Sequence, residues 1–299
     1  MRPAVYHSHF KASQSAYRRL NSTKNILNFG PTSAMDQPRN TKAPWRDLLD
    51  SHLKQNSGYE FNIATIAHDS NGDPVPRVRT CGCRGFFPEL ELHPSGQKDM
   101  DEQVGEAQNP PVYESDMLTF TTDARMEKLD QLKSSARAIE AMFWLKDSMT
   151  QWRVKGRAYH IGGPSDPEKK GSEHLARDRI GEGLRLKESQ DGDTANWTWE
   201  SAVTRYFANH SPVMRGSFQN PPPGQPRSNV PSDSNLKLGQ RVTDLYDPIA
   251  RANFRVVVII PEDVERIDLS NQEDVQREKW TYLESGHGLG YWKSVDLWP

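Results

Sequence analysis

The sequence predicts a mainly β protein, an antiparallel barrel of six or seven strands with helices at its edges. Three observations carry this reading. About seven short segments have the apolar, β-branched and aromatic content of strands, bounded by Gly, Pro, Asn and Asp. Helical spacing is confined to short stretches beside them. Strands and helices do not alternate in the βαβ order that a doubly wound sheet requires. No internal repeat is visible, and one barrel domain is expected over residues 39–299.

The elements follow in order. At Ala43, Pro44, Trp45 and Arg46 the chain enters a helix, where proline suits the first turn and Leu48, Leu49 and Leu53 supply an apolar side. Phe61 to Ala67 reads as a strand, Asp69 to Pro74 as a turn, and Pro76 to Phe87 as the returning strand of a hairpin. Residues 88–115 are acidic and aperiodic and are expected to form a loop insertion. Leu118 to Thr122 gives a third strand that runs into helical spacing from Asp123 to Leu132, with Asp123 as N-cap.

Glu140 to Lys146 and Gln151 to Tyr159 form two further strands about a turn at Asp147 and Ser148. Residues 162–192, charged and Gly-rich, are a second expected insertion. Trp197 to Asn209 reads as a helix and Ser217 to Tyr246 as an extended, Pro-rich crossing. Phe254 to Ile260 is the clearest strand, expected to stop at Pro261. A last strand pair, Glu278 to Leu283 and Gly290 to Leu297, closes the chain.

Composition removes several classes of function. A formal net charge of −2 gives no basic excess for nucleic acid. The longest apolar run, Val256 to Ile260, is far short of a membrane helix, so no membrane is expected as a partner. Cys81 and Cys83 are too close along one strand for an ordinary disulfide, and nothing near them has zinc-ligand spacing. They read as reduced structural side chains, with no metal expected. The first 34 residues carry Arg2, Lys11, Arg18, Arg19 and Lys24 and no acid. Residues 1–38 therefore read as a disordered basic tail or a mitochondrial transit peptide, or as sequence ahead of an internal start at Met35. The expected compartment is the cytoplasm, with the mitochondrion as the alternative.

Two basic clusters stand where strands meet turns or helices. In the first, Arg79, Thr80 and Arg84 surround Cys81, Gly82 and Cys83. Arg79 and Arg84 have opposite parity and face opposite sides unless Gly82 marks a bulge. In the second, Thr121, Thr122, Arg125 and Lys128 gather hydroxyls, a helix N-terminus and two cations, the donors that a phosphate monoester asks for. Either cluster taken alone is equally compatible with a solvated surface. No Walker A motif, nucleophile elbow or HExxH sequence occurs; the alternating Gly286, Gly288 and Gly290 lack Rossmann spacing, and His287 reads as a turn residue. Trp197 and Trp199 read as packing.

In their order these pieces resemble the pyridoxamine 5′-phosphate oxidase-like FMN-binding split barrels, in particular a subgroup opening with Ala-Pro-Trp and carrying a late Pro-Pro-Gly. The matching segments are Ala43 to Trp45, Arg79 to Arg84, Thr121 to Lys128, Gln151 to Gly156, Arg215 to Gly224, Phe254 to Pro261 with Val264, and Trp292 to Pro299. The resemblance implies an FMN cofactor at the interface of a homodimer. It implies that the strand carrying Arg79, Thr80 and Arg84 serves its phosphate and ribityl chain, with Arg84 also near a substrate phosphate, and that Thr121, Thr122 and Lys128 serve the FMN phosphate, with Arg125 as the subgroup's own basic residue there. Gln151 would reach the cofactor from a neighbouring strand, and Arg277 would lie near the isoalloxazine.

The sequence departs from the biosynthetic oxidases in three places. Of their mid-chain substrate grip only Arg215 has a counterpart, and the stretch from Asn271 to Arg277 lacks their histidine. An aromatic residue near the flavin is replaced around Ile267. The expected function is thus a flavin-dependent oxidoreductase acting on an unknown small molecule. The alternatives are a non-catalytic FMN-binding or sensor protein, and an interaction protein with a vestigial site.

Overall fold

The computed structural model describes residues 41–162, 170–187, 194–231, 233–284 and 290–299. The basic first 34 residues, and with them the targeting question, lie outside the described residues, as do Gly286, His287 and Gly288.

In chain order the elements are α1 (Arg46–Gln55), β1 (Glu60–His68), β2 (Pro74–Phe86), α2 (Pro94–Gln103), β3 (Tyr113–Glu114), β4 (Leu118–Asp123) and α3 (Glu127–Ser134). Then come β5 (Ala138–Leu145), β6 (Thr150–Ile161), α4 (Lys170–Gly181), β7 (Arg185–Leu186), α5 (Trp199–Ala208) and α6 (Pro212–Gly216). Helix α7 (Pro248–Asn253), β8 (Phe254–Asp268), β9 (Gln276–Glu284) and β10 (Gly290–Leu297) complete the described chain.

The main sheet runs β10-β9-β8-β4-β2-β1-β5-β6, and β6 pairs back onto β8. Every pairing is antiparallel. Six strands thereby close a barrel, which removes the free edges an open sheet would expose. Strand β8 is the seam. Its first half, Phe254 to Ile259, pairs with β4, and its second half, Asp263 to Asp268, pairs with β9. The barrel splits where β8 changes neighbours, and β9 and β10 extend beyond it.

Strand β8 also explains its own composition. Val257 and Ile259 enter the barrel core, with Phe61, Phe120, Phe143 and Trp152, while Phe254, Val256 and Val258 enter a second core under α5. Both faces are covered, so the strand reads as a continuous apolar run. Trp45, at the N-cap of α1, and Leu49 within it enter the barrel core, and α3 contributes Leu129 and Leu132.

Several expectations are corrected. Pro261 does not end β8, which continues for seven residues. It sits at a register shift, paired with Gly156 while Lys155 pairs with Asp263, and a bulge is where a sheet tolerates proline. Both insertions contain structure. In the first, His93 caps α2 by accepting from the Ser95 amide, and buried Gly96 and Met100 face α5. In the second, α4 buries Ala176 and Ile180, and β7 pairs with β3 of the first insertion. Acidic surface residues concealed these short apolar anchors. Finally, Asp123 is the end of β4 rather than the N-cap of α3, which is Met126.

Candidate anion-binding site

Strand β2 carries the first cluster along the rim of the barrel. Its two arginines part, Arg79 towards Thr65 and Gln131 and Arg84 towards His210. Arg79 turns beneath α3, donating to Thr65 Oγ1 at 2.7 Å and Gln131 Oε1 at 2.8 Å. Gly82 is not the bulge. The register shift between β2 and β4 falls between Cys83 and Phe86, where Gly85 takes a φ of +74°. A Cβ at Gly82 would stand 2.9 Å from the Tyr59 ring, so glycine there permits close packing instead.

Arg84 lies in that bulge and faces outward into a cavity of about 780 Å³. Thr80, Thr121, Thr122 and Lys128 line the same cavity. Its far wall comes from a segment between Asn220 and Pro231, and its floor includes Asp123 and His210. The volume lies within the range of small-molecule and cofactor sites.

Lys128 is 8% exposed, and its Nζ donates to Thr122 Oγ1 at 2.9 Å. Burial holds its pKa below that of a free lysine. Among the described residues no carboxylate lies within ion-pair distance of Lys128, Arg84 or Arg79, whereas most other arginines of the barrel have one. Burying cations is costly without a counter-charge. A dianionic phosphate answers that need, so this donor set fits a phosphate monoester.

His210 joins the two strands of the site. It follows α5 and is buried, between Phe218 at 6.0 Å and Phe254 at 5.8 Å ring to ring. Its Nδ1 lies 3.4 Å from Arg84 Nη2 and its Nε2 lies 2.9 Å from Thr121 Oγ1. A guanidinium only donates, so Nδ1 accepts, and the neutral ring carries its proton on Nε2 and donates it to Thr121. Burial, with the charges of Arg84 and Arg215, lowers the His210 pKa to about 3.

The structure thus brings together Thr80, Arg84, Thr121, Thr122 and Lys128 around one cavity. Arg125 stands behind its lip, chelating the Asp123 carboxylate and donating to the carbonyls of Phe218 and Asn220, which fastens the far wall to β4. Arg215 is elsewhere: 1% exposed, it is ion-paired with Asp99 and donates to Thr243 O. Gln151 and Arg277 are also elsewhere, but together, because Gln151 pairs with Ile267 and Ile267 with Arg277 in one row across β6, β8 and β9. Arg277 there is held by Glu265 at 2.8 Å.

Sequence reasoning missed His210 and the cavity wall. The signal for His210 was its place just after a helix, ahead of Ser211 and Pro212, which cap the next one. Cys81 and Cys83 are free thiols, with Cys83 pushed up to about 11 by burial, and no metal-binding cluster occurs among the described residues. No described helix is long and apolar enough to cross a membrane.

The fold defines a split-barrel protein, and its cavity gathers donors of the kind that suit an anion. Residues 42–162 match the family model for the pyridoxamine 5′-phosphate oxidase FMN-binding domain, and this chain contains a domain of that family, whose cofactor is FMN. Among solved structures, a pyridoxamine 5′-phosphate oxidase-related, FMN-binding protein from Nostoc punctiforme is 20% identical, with a TM-score of 0.50 over 87% of this chain and 100% of that one. This likeness shows the fold. PhzG from Burkholderia lata, solved with tetrahydrophenazine-1-carboxylic acid, is 14% identical, with a TM-score of 0.41 over 85% of this chain and 89% of that one. No curated protein matches the chain.

Proposed function

We propose that the chain is an FMN-dependent oxidoreductase that works as a homodimer, with the FMN phosphate held by Arg84, Thr121, Thr122 and Lys128. The observation that carries this is the buried Lys128 ammonium, beside Thr122 and without a carboxylate partner among the described residues. In this reading Lys128 supplies charge, Arg84 supplies a directed guanidinium, and the threonine hydroxyls complete the phosphate shell. Thr80 shapes the rim, held by its bond to Asn62. Arg79 and Arg125 act behind the cavity, Arg79 by orienting Gln131 and Thr65 under α3, Arg125 by anchoring the wall. Bound FMN would supply the redox chemistry itself.

The homodimer is supported by distance along β8. Thr122 pairs with Arg255 and Gln151 with Ile267, twelve residues apart on that strand, or roughly 40 Å of extended chain. Rows so far apart along the strand favour two copies of the chain sharing each flavin. Two copies packed through the split end would bring Gln151 and Arg277 of one to the cavity of the other, where Arg277 would stabilise negative charge on the reduced ring. The substrate would be a small molecule.

A second reading, a non-catalytic FMN-binding or sensor protein, is favoured by Arg215. The one mid-chain counterpart of a substrate grip is already neutralised by Asp99. Loading the protein with FMN and adding NADH or NADPH, or pyridoxine 5′-phosphate, separates the two: flavin reduction supports the oxidoreductase, and no reduction by any of them supports the sensor.

A further inference from the structure

We infer that His210 is the positioning residue of the phosphate site, the group that aims Arg84 and Thr121 together at one anion. The inference rests on the reading of this cavity as the FMN phosphate site. Its ground is the geometry of the β2–β4 bulge. Up to Cys83, which pairs with Phe120, the ladder fixes the backbone; past it the pairing resumes only at Phe86 and Leu118. Arg84 falls in the gap, so the sheet does not dictate where its long side chain points.

Its described polar contact within hydrogen-bond distance is His210 Nδ1. Tyr59 lies on another side, with its ring 5.7 Å from the guanidinium. Thr121, on the other strand, has its hydroxyl 2.9 Å from His210 Nε2. Because Nε2 carries the proton, it donates to Thr121 Oγ1, which leaves the hydroxyl hydrogen free to be donated into the cavity. The imidazole is itself held edge-on by Phe218 and Phe254. It cannot swing without opening the second core. A rigid ring with one acceptor and one donor therefore converts two independent side chains into a preformed pair, which lowers the ordering cost of binding.

His210 lies outside the matched domain segment, 42–162, so this brace comes from a part of the chain that the family pattern does not specify.

The test is a comparison of FMN with riboflavin, which lacks the phosphate, by flavin fluorescence titration of the full chain. The variants are H210A, H210F, H210N, R84A and the double variant R84A/H210A. H210F keeps the aromatic packing while removing both hydrogen bonds. The expected result is a loss of about 10-fold in FMN affinity for H210A or H210F, with riboflavin affinity unchanged, partial rescue in H210N, and a smaller loss, the part owed to Thr121, when H210A is added to R84A. Equal loss of FMN and riboflavin, or an H210A effect that persists undiminished in R84A, would overturn the inference. K128A, read in the same assay, keeps the two levels apart. If K128A abolishes the preference for FMN while the His210 variants retain it, the site stands and the role of His210 falls; if K128A retains the preference, the site itself is wrong.

Discussion

Lys128 Nζ stands 2.9 Å from Thr122 Oγ1, on a side chain only 8% exposed, and this pair sets the chemistry of the cavity. The hydroxyl solvates the ammonium but does not neutralise it. Replacing Lys128 by Met keeps the length and removes the buried charge. FMN affinity should fall between about 10- and 100-fold, the worth of one charge-assisted hydrogen bond, while the melting temperature stays level or rises. Fluorescence titration and thermal melts measure both. A drop in stability with unchanged FMN affinity would make Lys128 structural.

The separation of the Thr122 row from the Gln151 and Arg277 row predicts a complementation result. K128A and R277A copies should each bind FMN weakly as homodimers. Mixed after unfolding and refolding together, they should form heterodimers in which one cavity has Lys128 from one copy and Arg277 from the other intact. Recovery of tight binding to about half the sites of those heterodimers is expected. No recovery, or a monomer by light scattering, would remove the shared site.

Acid should destabilise the protein through two histidines. Burial holds His210 at about 3 and His160 at about 4, the latter with help from Arg255 and Arg137, against about 6.5 in an unfolded chain. The unfolded state therefore binds more protons between these limits. The contribution of each histidine is fully present above about pH 6.5 and is lost as pH falls towards its folded pKa, with a slope of about 1 kcal/mol per pH unit for each. Urea unfolding between pH 7 and pH 4 should show a shallower slope in H160F and H210F than in the parent. Identical slopes would mean that neither ring is neutral and buried in the folded state.

Barrel closure depends on Gly156. A Cβ there would lie 2.0 Å from the Ile260 carbonyl oxygen, at the bulge opposite Pro261. G156A should destabilise the fold by about 1–3 kcal/mol or more, because backbone and not a flexible side chain must move. Chemical denaturation checks this; a neutral G156A would mean that β6 and β8 can separate there without loss.

The barrel was legible because its strands obey period-two patterning or, in β8, carry apolar residues to two cores at once. Helix α2 was not, since it buries little more than Gly96 and Met100 and shows an acidic surface otherwise. Pro261 misled in the opposite direction: proline stops a regular ladder, and only the register of β6 reveals the bulge that admits it. Within the cavity, the grouping of Arg84 on β2, Thr121 and Thr122 on β4 and Lys128 on α3 could be read from local sequence. His210 could not, because its partners lie 126 and 89 residues away and only the folded chain joins them. The ion pair of Arg215 was hidden for the same reason, since its partner Asp99 comes from an insertion that read as a loop.

The central claim is that this cavity recognises flavin through its phosphate. The most direct measurement is the visible absorption spectrum of the full chain after loading with FMN or with riboflavin and desalting. Flavin bands retained with FMN and lost with riboflavin are predicted. Equal retention of both, or retention of neither, would contradict it.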